Sequence, residues 1–136
     1  MREIKFRAWF KDKKEMRNVS IDNVYKGNMC YLYLSPMPGS NYELIELMQY
    51  TGIKDELGKE VFDGDIVCCV LENENFIVEW DEIGTGYLFH YVHDEKRTHG
   101  IDYYEFEDMC GSFGFEVIGN IYENPELIAE QFDKTQ

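Results

Sequence analysis

The sequence has few basic residues, few cysteines and no long apolar run, and each shortage excludes a class of protein. No stretch approaches the roughly 18 consecutive apolar residues that a membrane-spanning helix needs, so we expect no membrane partner. Only 13 of the 136 residues are Lys or Arg, against 27 Asp or Glu, which gives a net charge of −14. That charge argues against a protein whose whole surface binds polyphosphate or anionic lipid. The first seven residues alternate between charged and apolar side chains, unlike a signal peptide, and we therefore expect a cytoplasmic protein.

The four cysteines and the histidines do not suggest a metal centre. Cys68 and Cys69 are adjacent, so on a strand they point to opposite faces and cannot chelate one ion. His90 and His93 are three residues apart and would also diverge on a strand. We therefore expect reduced thiols, no bound metal and no cofactor. Because the sequence lacks a P-loop, a G-x-S-x-G motif and a G-x-G-x-x-G motif, we also expect no enzymatic activity.

Apolar residues make up 44% of the chain and aromatic residues 15%, which is enough for a hydrophobic core. Alternating and aromatic-rich segments separated by turn signals predict eight to ten short strands, including residues 3–10, a hairpin over 18–34 and a buried strand over 66–71. Residues 43–50 fit a helix or a strand, and residues 101–106 fit a strand or one helical turn. Asn124 and Pro125 predict the start of a short C-terminal helix. The fold class is mainly β, with a small antiparallel barrel after residue 60.

Charge divides the chain into two predicted regions. Residues 1–59 hold ten basic and eight acidic side chains, a net charge of +2, whereas residues 60–136 hold three and nineteen, a net charge of −16. We predict an N-terminal β region over 1–59 and a C-terminal barrel with a terminal helix over 60–136, packed as two domains or as one integrated domain. Opposite charges on one chain also favour attraction between copies, so we expect a homo-oligomer.

Three blocks of sequence resemble the YopX family of phage and prophage proteins. They are REIKFRAW at 2–9, followed by KEM at 14–16, then MQYTGIKDELGKEVFDGDIV at 48–67, and VIGNIYENPEL at 117–127. The resemblance implies a mainly β protein whose C-terminal barrel is SH3-like, and an origin in a tailed phage or a prophage of a bacterium. It implies no reaction, because the family has no characterised function, and it transfers no catalytic residue.

Several residues of these blocks are typical of a scaffold. Gly64 and Asp65 belong to a turn that leads into the strand at 66–71, where Gly64 is expected to have a positive φ. Gly119 inside a strand indicates a bulge or a close backbone approach. The residues to which we assign this structural role are Gly52, Gly58, Gly64, Asp65, Gly119, Asn124 and Pro125. A ligand-binding loop is the alternative for the same residues.

Four functional hypotheses follow, and we rank a non-enzymatic interaction protein that binds a host or phage protein first. The second is a nucleic-acid-binding protein, because Lys5, Arg7 and Trp9 share one face of the N-terminal strand and could contact phosphate and stack on bases. The acidic C-terminal part opposes that hypothesis, so we expect no nucleic-acid partner. The third is an acidic mimic of DNA that inhibits a host DNA-binding protein. The fourth, a small enzyme, has no supporting motif.

Overall fold

The computed structural model describes residues 3–20, 24–26, 30–33, 42–92 and 100–128. The chain divides into two compact units, Met1–Tyr50 and Thr51–Gln136. This division is based on how compactly the residues pack, whereas we predicted the boundary after residue 59 from the change in charge. The two criteria differ, so the domain prediction stays a prediction. In the described part of the chain, no helix combines the length and the apolar character needed to cross a membrane.

The first sheet contains six strands and includes the N-terminal strand predicted from sequence. Its strands are β1 (Phe6–Phe10), β2 (Glu15–Val19), β3 (Val24–Lys26), β4 (Cys30–Tyr33), β5 (Tyr42–Lys54) and β6 (Glu60–Phe62). They pair in the order β2-β1-β5-β4-β3, and β6 pairs with β5. The first unit has a small core of Ala8, Phe10 and Ile45, with Val19 and Leu47 packed against it.

The second sheet contains five strands and lies wholly in the second unit. Its strands are β7 (Asp65–Cys69), β8 (Glu74–Asp81), β9 (Gly86–Tyr91), β10 (Gly100–Asp102) and β11 (Phe115–Asn120). They pair in the order β10-β9-β8-β7-β11, so four sequential strands form a meander and β11 returns to pair with β7. The helix α1 (Tyr103–Cys110) and a 3-10 turn (Gly111–Phe113) connect β10 to β11.

Both faces of the second sheet are covered. On one face, Phe106 of α1 lies among three aromatic rings, with its centroid 4.2 Å from Phe89, 5.0 Å from Phe76 and 5.1 Å from Phe115. On the other face, Ile66 and two further buried residues pack against Ile121, Leu127 and Ile128. A strand that is covered on both faces needs a continuous apolar run, which is what β7 provides.

The helix α1 begins at a well-formed cap. The side chain of Asp102 accepts a hydrogen bond from the backbone N–H of Glu105 at 2.8 Å. This cap satisfies one of the N–H groups that lack a partner in the first turn, and the acidic Glu105 suits the positive end of the helix dipole. The helix ends at Cys110, and the capping residue Gly111 has a positive φ of 59°. Its buried side chains, Phe106 and Cys110, face the core.

The mainly β prediction is confirmed: the described residues form two antiparallel sheets, one of them curled into a half-barrel. The ambiguous segment at 43–50 belongs to β5, because β1 and β4 pair with β5 on its two sides. The segment at 101–106 is part strand and part helix, because β10 ends at Asp102 and α1 follows it. Residues 126–128 are helical, so the helix begins close to Pro125. The SH3-like class stays a prediction.

The buried strand predicted over 66–71 starts one residue earlier and ends two residues earlier than expected. β7 ends at Cys69, and the next two residues form a turn in which Val70 is 44% exposed and Leu71 is 54% exposed. The apolar run therefore continues past the strand and on to the surface. The length of the apolar run predicted the wrong end for this strand, because the turn that leads to β8 begins before the run ends.

Candidate functional site

The predicted basic face of β1 is largely covered. The pairing register places Arg7 opposite Asn18 on β2 and opposite Met48 on β5. Because β1 lies between two strands, neighbouring side chains cover this face, and Arg7 is only 9% exposed. Trp9 on the same face is half-buried. Arg7 therefore offers little of its guanidinium to a phosphate group.

Four other basic side chains of the first unit lie beside carboxylates of the same unit. The N–O distances are 3.2 Å for Lys5–Glu3, 2.7 Å for Lys11–Glu46, 2.9 Å for Lys13–Glu43 and 2.6 Å for Arg17–Glu15. The Lys5 ammonium also lies 5.7 Å from the centre of the Tyr50 ring. Internal pairing lowers the positive charge that a nucleic acid would meet, yet it does not test binding, so the nucleic-acid hypothesis remains open.

The glycines of the second sequence block sit at turns and in β5. Gly64 has a φ of 88°, the positive value predicted for it, and Gly52 and Gly58 have φ values of 90° and 85°. At Gly64 the backbone N–H donates to Val78 and the carbonyl accepts from Ile121, so the turn is fixed on both sides. Because a side chain is strained at such a φ, the turn favours glycine.

Asp65 follows this turn and has a structural contact. It is 1% exposed, and its Oδ2 accepts a hydrogen bond from the backbone N–H of Phe62 at 2.7 Å. The carboxylate thereby joins the end of β6 to the start of β7. This contact agrees with the scaffold role predicted from sequence.

The third block forms a hydrogen-bonded loop at the end of β11. The pairing of β11 with β7 shifts register between Val117 and Gly119, which is a bulge. A Cβ at Gly119 would lie 2.5 Å from Oδ1 of Asn124, so that position accommodates only glycine without a rearrangement. Oδ1 of Asn124 accepts from the N–H of Asn120 at 3.1 Å, so this oxygen supports the loop, while Nδ2 donates to Glu126 of the helical segment at 3.3 Å.

Asp55 is the structural residue that the sequence analysis did not single out. It is 7% exposed, and its Oδ1 accepts from the N–H groups of Leu57 and Lys59 at 2.9 and 2.8 Å. Its Oδ2 accepts from the N–H of Val117 at 2.9 Å, across 62 positions in the chain. The sequence feature that could have identified Asp55 is its position at the start of a D-x-x-G turn, because an Asp side chain often accepts a hydrogen bond from the backbone N–H group two residues later.

An open cleft of about 340 Å³ lies beside this turn, within the second unit. Residues 54–56 line it together with one face of α1, on which Tyr103, Glu107 and Cys110 are spaced at helical intervals. The remaining lining comes from Gly111, Ser112, Gly114 and Phe115. The N–H of Glu56 donates to the carbonyl of Phe115 at 3.0 Å, so a backbone hydrogen bond fixes the distance between these two parts of the lining.

Large apolar side chains are exposed next to the cleft. Leu57 follows the lining residue Glu56 and is 77% exposed, and Phe113 lies between the lining residues Ser112 and Gly114 and is 61% exposed. Leu71 lies beside the lining residue Gly111, because a Cβ built at Gly111 would be 3.9 Å from Cδ2 of Leu71. The N–H of Val70 donates to the carbonyl of Gly114 at 3.4 Å. We call Leu57, Val70, Leu71 and Phe113 the apolar margin of the cleft.

Carboxylates surround the same end of the second sheet. Burial raises the pKa of Cys68, and the negative charges of Glu116 and Glu74 raise this pKa further. Burial likewise raises the pKa of Tyr91, with added effects from Glu74, Glu105 and Glu72. Glu74 raises both pKa values, so its negative charge reaches both groups at this end of the sheet.

The hydroxyl and thiol groups that line the cleft are held in their neutral forms. Burial raises the pKa of Tyr103 to about 12, helped by the hydrogen bond and the negative charge of Glu107. Burial also raises the pKa of Cys110 well above its usual range, helped by a hydrogen bond with Cys69. Cys68, Cys69 and Cys110 are free thiols, and in the described part of the chain no three or more His, Cys, Asp or Glu residues converge as metal ligands. His93 lies outside the described residues, so the expectation of no bound metal stays a prediction.

Comparison with known proteins identifies the family. The family model described as "YopX protein" matches residues 5–129. The chain belongs to the YopX family. A crystal structure of protein EF1440 from Enterococcus faecalis has a TM-score of 0.62 and 23% sequence identity, covering 94% of this chain and 99% of that chain. At this identity the structural match shows a shared fold. None of the curated proteins matches the chain.

The second and third blocks that resemble the YopX family meet in the structure. Asp55 of the second block binds Val117 of the third, and Asp65 pairs with Asn120 across the ladder of β7 and β11. The carbonyl of Gly64 accepts from the N–H of Ile121 at 2.9 Å. Two segments that are far apart in the chain thus build one framework in the second unit of this YopX-family protein. The cleft lies beside that framework, since Asp55 belongs to both.

Proposed function

We propose that this YopX-family chain is a non-enzymatic protein that binds another protein through the cleft and its apolar margin. The observation that carries the proposal is the exposure of the margin: its four side chains are between 44% and 77% exposed. Clustered exposed apolar side chains next to a concavity are typical of interaction sites, because leaving such a cluster in water is unfavourable unless a partner covers it.

The chemistry of the cleft supports a binding role rather than a catalytic one. Its thiol, Cys110, is buried and has a raised pKa, so it is protonated at neutral pH and is a poor nucleophile. Its phenol, Tyr103, has a pKa of about 12 and donates to Glu107, so it too stays neutral. A nucleophile needs a neighbouring base or a lowered pKa, and these groups have the opposite shift.

The charge of the second unit supports a protein partner rather than a nucleic acid. Residues 51–136 contain 21 acidic and five basic side chains. Such a surface repels phosphate and attracts basic protein surfaces, which raises the rate of association with them. We also propose, from family membership, that a phage or prophage encodes the protein and that the partner is a phage or bacterial protein.

Capture from a bacterial lysate tests the proposal when two matched variants are compared. The first variant, Leu71→Ser/Phe113→Ser, removes the apolar character of the margin. The second, Trp80→Ser/Ile83→Ser, removes two exposed apolar side chains at the β8–β9 hairpin, which are 45% and 97% exposed. We expect a protein that binds the wild type and the hairpin variant but is lost from the margin variant.

Equal capture by all three proteins would contradict a role for the margin, provided that circular dichroism shows all three folded. A captured DNA-binding protein that is released by DNA would favour the third hypothesis, in which the acidic surface mimics DNA. In that outcome the chain still binds a protein, but it does so because its acidic surface mimics DNA.

A further inference from the structure

We propose that the partner inserts a Lys or Arg side chain into the cleft and places an apolar side chain on the margin. This inference rests on the proposed function and names the chemistry of the partner. The expected recognition element is therefore a short segment in which a basic residue is flanked by apolar residues. The surface would select it through charge in the cleft and through apolar burial around it.

Two carboxylates in the cleft are available to a cation. Both oxygens of Asp55 accept backbone hydrogen bonds, so this carboxylate is already committed to the framework. Glu56 and Glu107 also line the cleft and are exposed. Of the residues that the structure describes, none places a basic nitrogen within 4.0 Å of either carboxylate, although Lys54 lines the same cleft. An incoming cation would meet two negative charges that have no ion-pair partner among those residues.

Each of the two carboxylates has a close neighbour in the second unit. The hydroxyl of Tyr103 hydrogen-bonds Glu107, which lies one turn further along α1. The carboxylate of Glu56 lies directly against the Cα of Gly114, where any Cβ would collide with it. Gly114 has a φ of 68°, so both its conformation and its close contact favour glycine. Carboxylates that are held in place lose less side-chain entropy when they bind a cation.

The cleft is large enough to hold a single side chain. A volume of about 340 Å³ is at the lower end of the roughly 300–1,000 Å³ range of small-molecule sites. Lys and Arg carry a charged group on a long apolar stem, and the stem can pack on apolar surface while the charge reaches a carboxylate. The cleft and its margin present these two kinds of surface side by side.

Selection of peptides from a random displayed library on the full-length protein tests the inference. We expect the selected sequences to carry Lys or Arg next to Leu, Ile, Phe or Trp. We then measure the affinity of a selected peptide by fluorescence anisotropy. Glu56→Gln/Glu107→Gln should weaken binding by about tenfold or more, because two charge-assisted contacts are lost. Replacing the basic residue of the peptide by Gln should have a similar effect on the wild type.

A matched variant separates the cleft from the general negative field. Glu79→Gln/Glu82→Gln removes the same charge from exposed positions of the second unit, and it should weaken binding less than threefold. Equal weakening by the two double variants would overturn the inference, because it would assign recognition to net charge. Selected peptides without a basic residue would overturn it as well.

Failure of the inference and failure of the proposed function give different results. Selected peptides that bind Phe113→Ser more weakly than the wild type would show that the margin binds proteins. If the same peptides bind Glu56→Gln/Glu107→Gln as tightly as the wild type, the cation site is wrong. If no peptide is enriched over selection on Leu71→Ser/Phe113→Ser, both proposals are wrong. Circular dichroism and Trp80 fluorescence establish that each variant is folded.

Discussion

The two units balance their charges in different ways. Met1–Tyr50 contains eight basic and six acidic side chains, and the four ion pairs described above all lie within it. Thr51–Gln136 contains five basic and 21 acidic side chains, so most of its carboxylates have no basic side chain of the same unit to pair with. Four of the eight basic side chains of the first unit are therefore paired within it, whereas most carboxylates of the second unit are in excess of the basic side chains available in that unit.

The two units also differ in the size of their hydrophobic cores. The main core of the second unit contains ten buried residues, including four phenylalanines, whereas the described core of the first unit contains three. Each unit also holds one of the two tryptophans, Trp9 in the first and Trp80 in the second. Fluorescence of single-tryptophan variants therefore reports on each unit separately, which makes the comparison measurable.

The largest effect is expected from Phe106→Ala in the second unit. This side chain is fully buried and stacks on Phe89, so its removal should lower the free energy of unfolding by about 4 kcal/mol. Urea unfolding followed by Trp80 fluorescence, in a Trp9→Phe background, measures the loss. Phe10→Ala, followed by Trp9, is the matched change in the smaller core and should cost about 3 kcal/mol. A loss below 1 kcal/mol at Phe106 would contradict the assigned core.

Asp55→Ala should lower the free energy of unfolding of the second unit by about 3 kcal/mol. The change leaves the N–H groups of Leu57, Lys59 and Val117 without their carboxylate acceptor. Asp81→Ala is the control, because this exposed carboxylate accepts one hydrogen bond, from Gly84, and its loss should cost less than about 1 kcal/mol. Equal losses for the two variants, by the same Trp80 measurement, would show that Asp55 does not fix the framework.

Lys13→Gln should destabilise the first unit by about 1 kcal/mol. Its partner Glu43 is only 15% exposed at the side chain, and its Oε2 is buried without a hydrogen-bond partner among the described residues, so loss of Lys13 leaves a poorly solvated carboxylate. Lys5→Gln removes a more exposed pair and should cost about 0.5 kcal/mol or less. Trp9 fluorescence measures both losses, and an effect at Lys5 larger than at Lys13 would reverse this order.

Alkaline pH should weaken the second unit in part through Tyr103. The folded state keeps the phenol protonated to about pH 12, whereas the unfolded state releases the proton near pH 10. The stabilisation is complete below pH 10 and is lost as the pH rises through 12, because the unfolded state then binds fewer protons than the folded state. Tyr103→Phe should show a smaller fall in urea midpoint between pH 10 and 12. An identical fall in both proteins would assign the pH dependence to other groups.

The smallest effect is expected for nucleic-acid binding by the first unit. Because four of its cations pair internally and the second unit repels phosphate, we expect no measurable affinity for DNA or RNA at physiological salt. Fluorescence anisotropy with labelled oligonucleotides at two salt concentrations measures this. Micromolar binding that weakens with salt, with a log–log slope near −3 for about four cations, and that is lost in Lys5→Glu/Arg7→Glu would put the second hypothesis first.

Local sequence pattern alone determined most of the secondary structure. Period-two alternation places the N-terminal strand, and turn residues such as Gly64 mark where strands begin, because these signals depend on neighbouring residues. The shared face of Lys5 and Arg7 follows from the same alternation. The family blocks determined the mainly β class, and charge counting revealed the acidic excess of the C-terminal part.

Tertiary structure decided what those residues do. Arg7 is buried because strands pair with β1 on both sides, which no local pattern records. Asp55 binds Val117 only because β11 returns to pair with β7, so its role depends on a contact across 62 positions. The cleft and its margin likewise combine residues from separate segments, since the turn after β5, the turn after β7 and the segment after α1 meet at one end of the second sheet. Sequence pattern fixes which side chains are apolar or charged, but only chain topology brings them together.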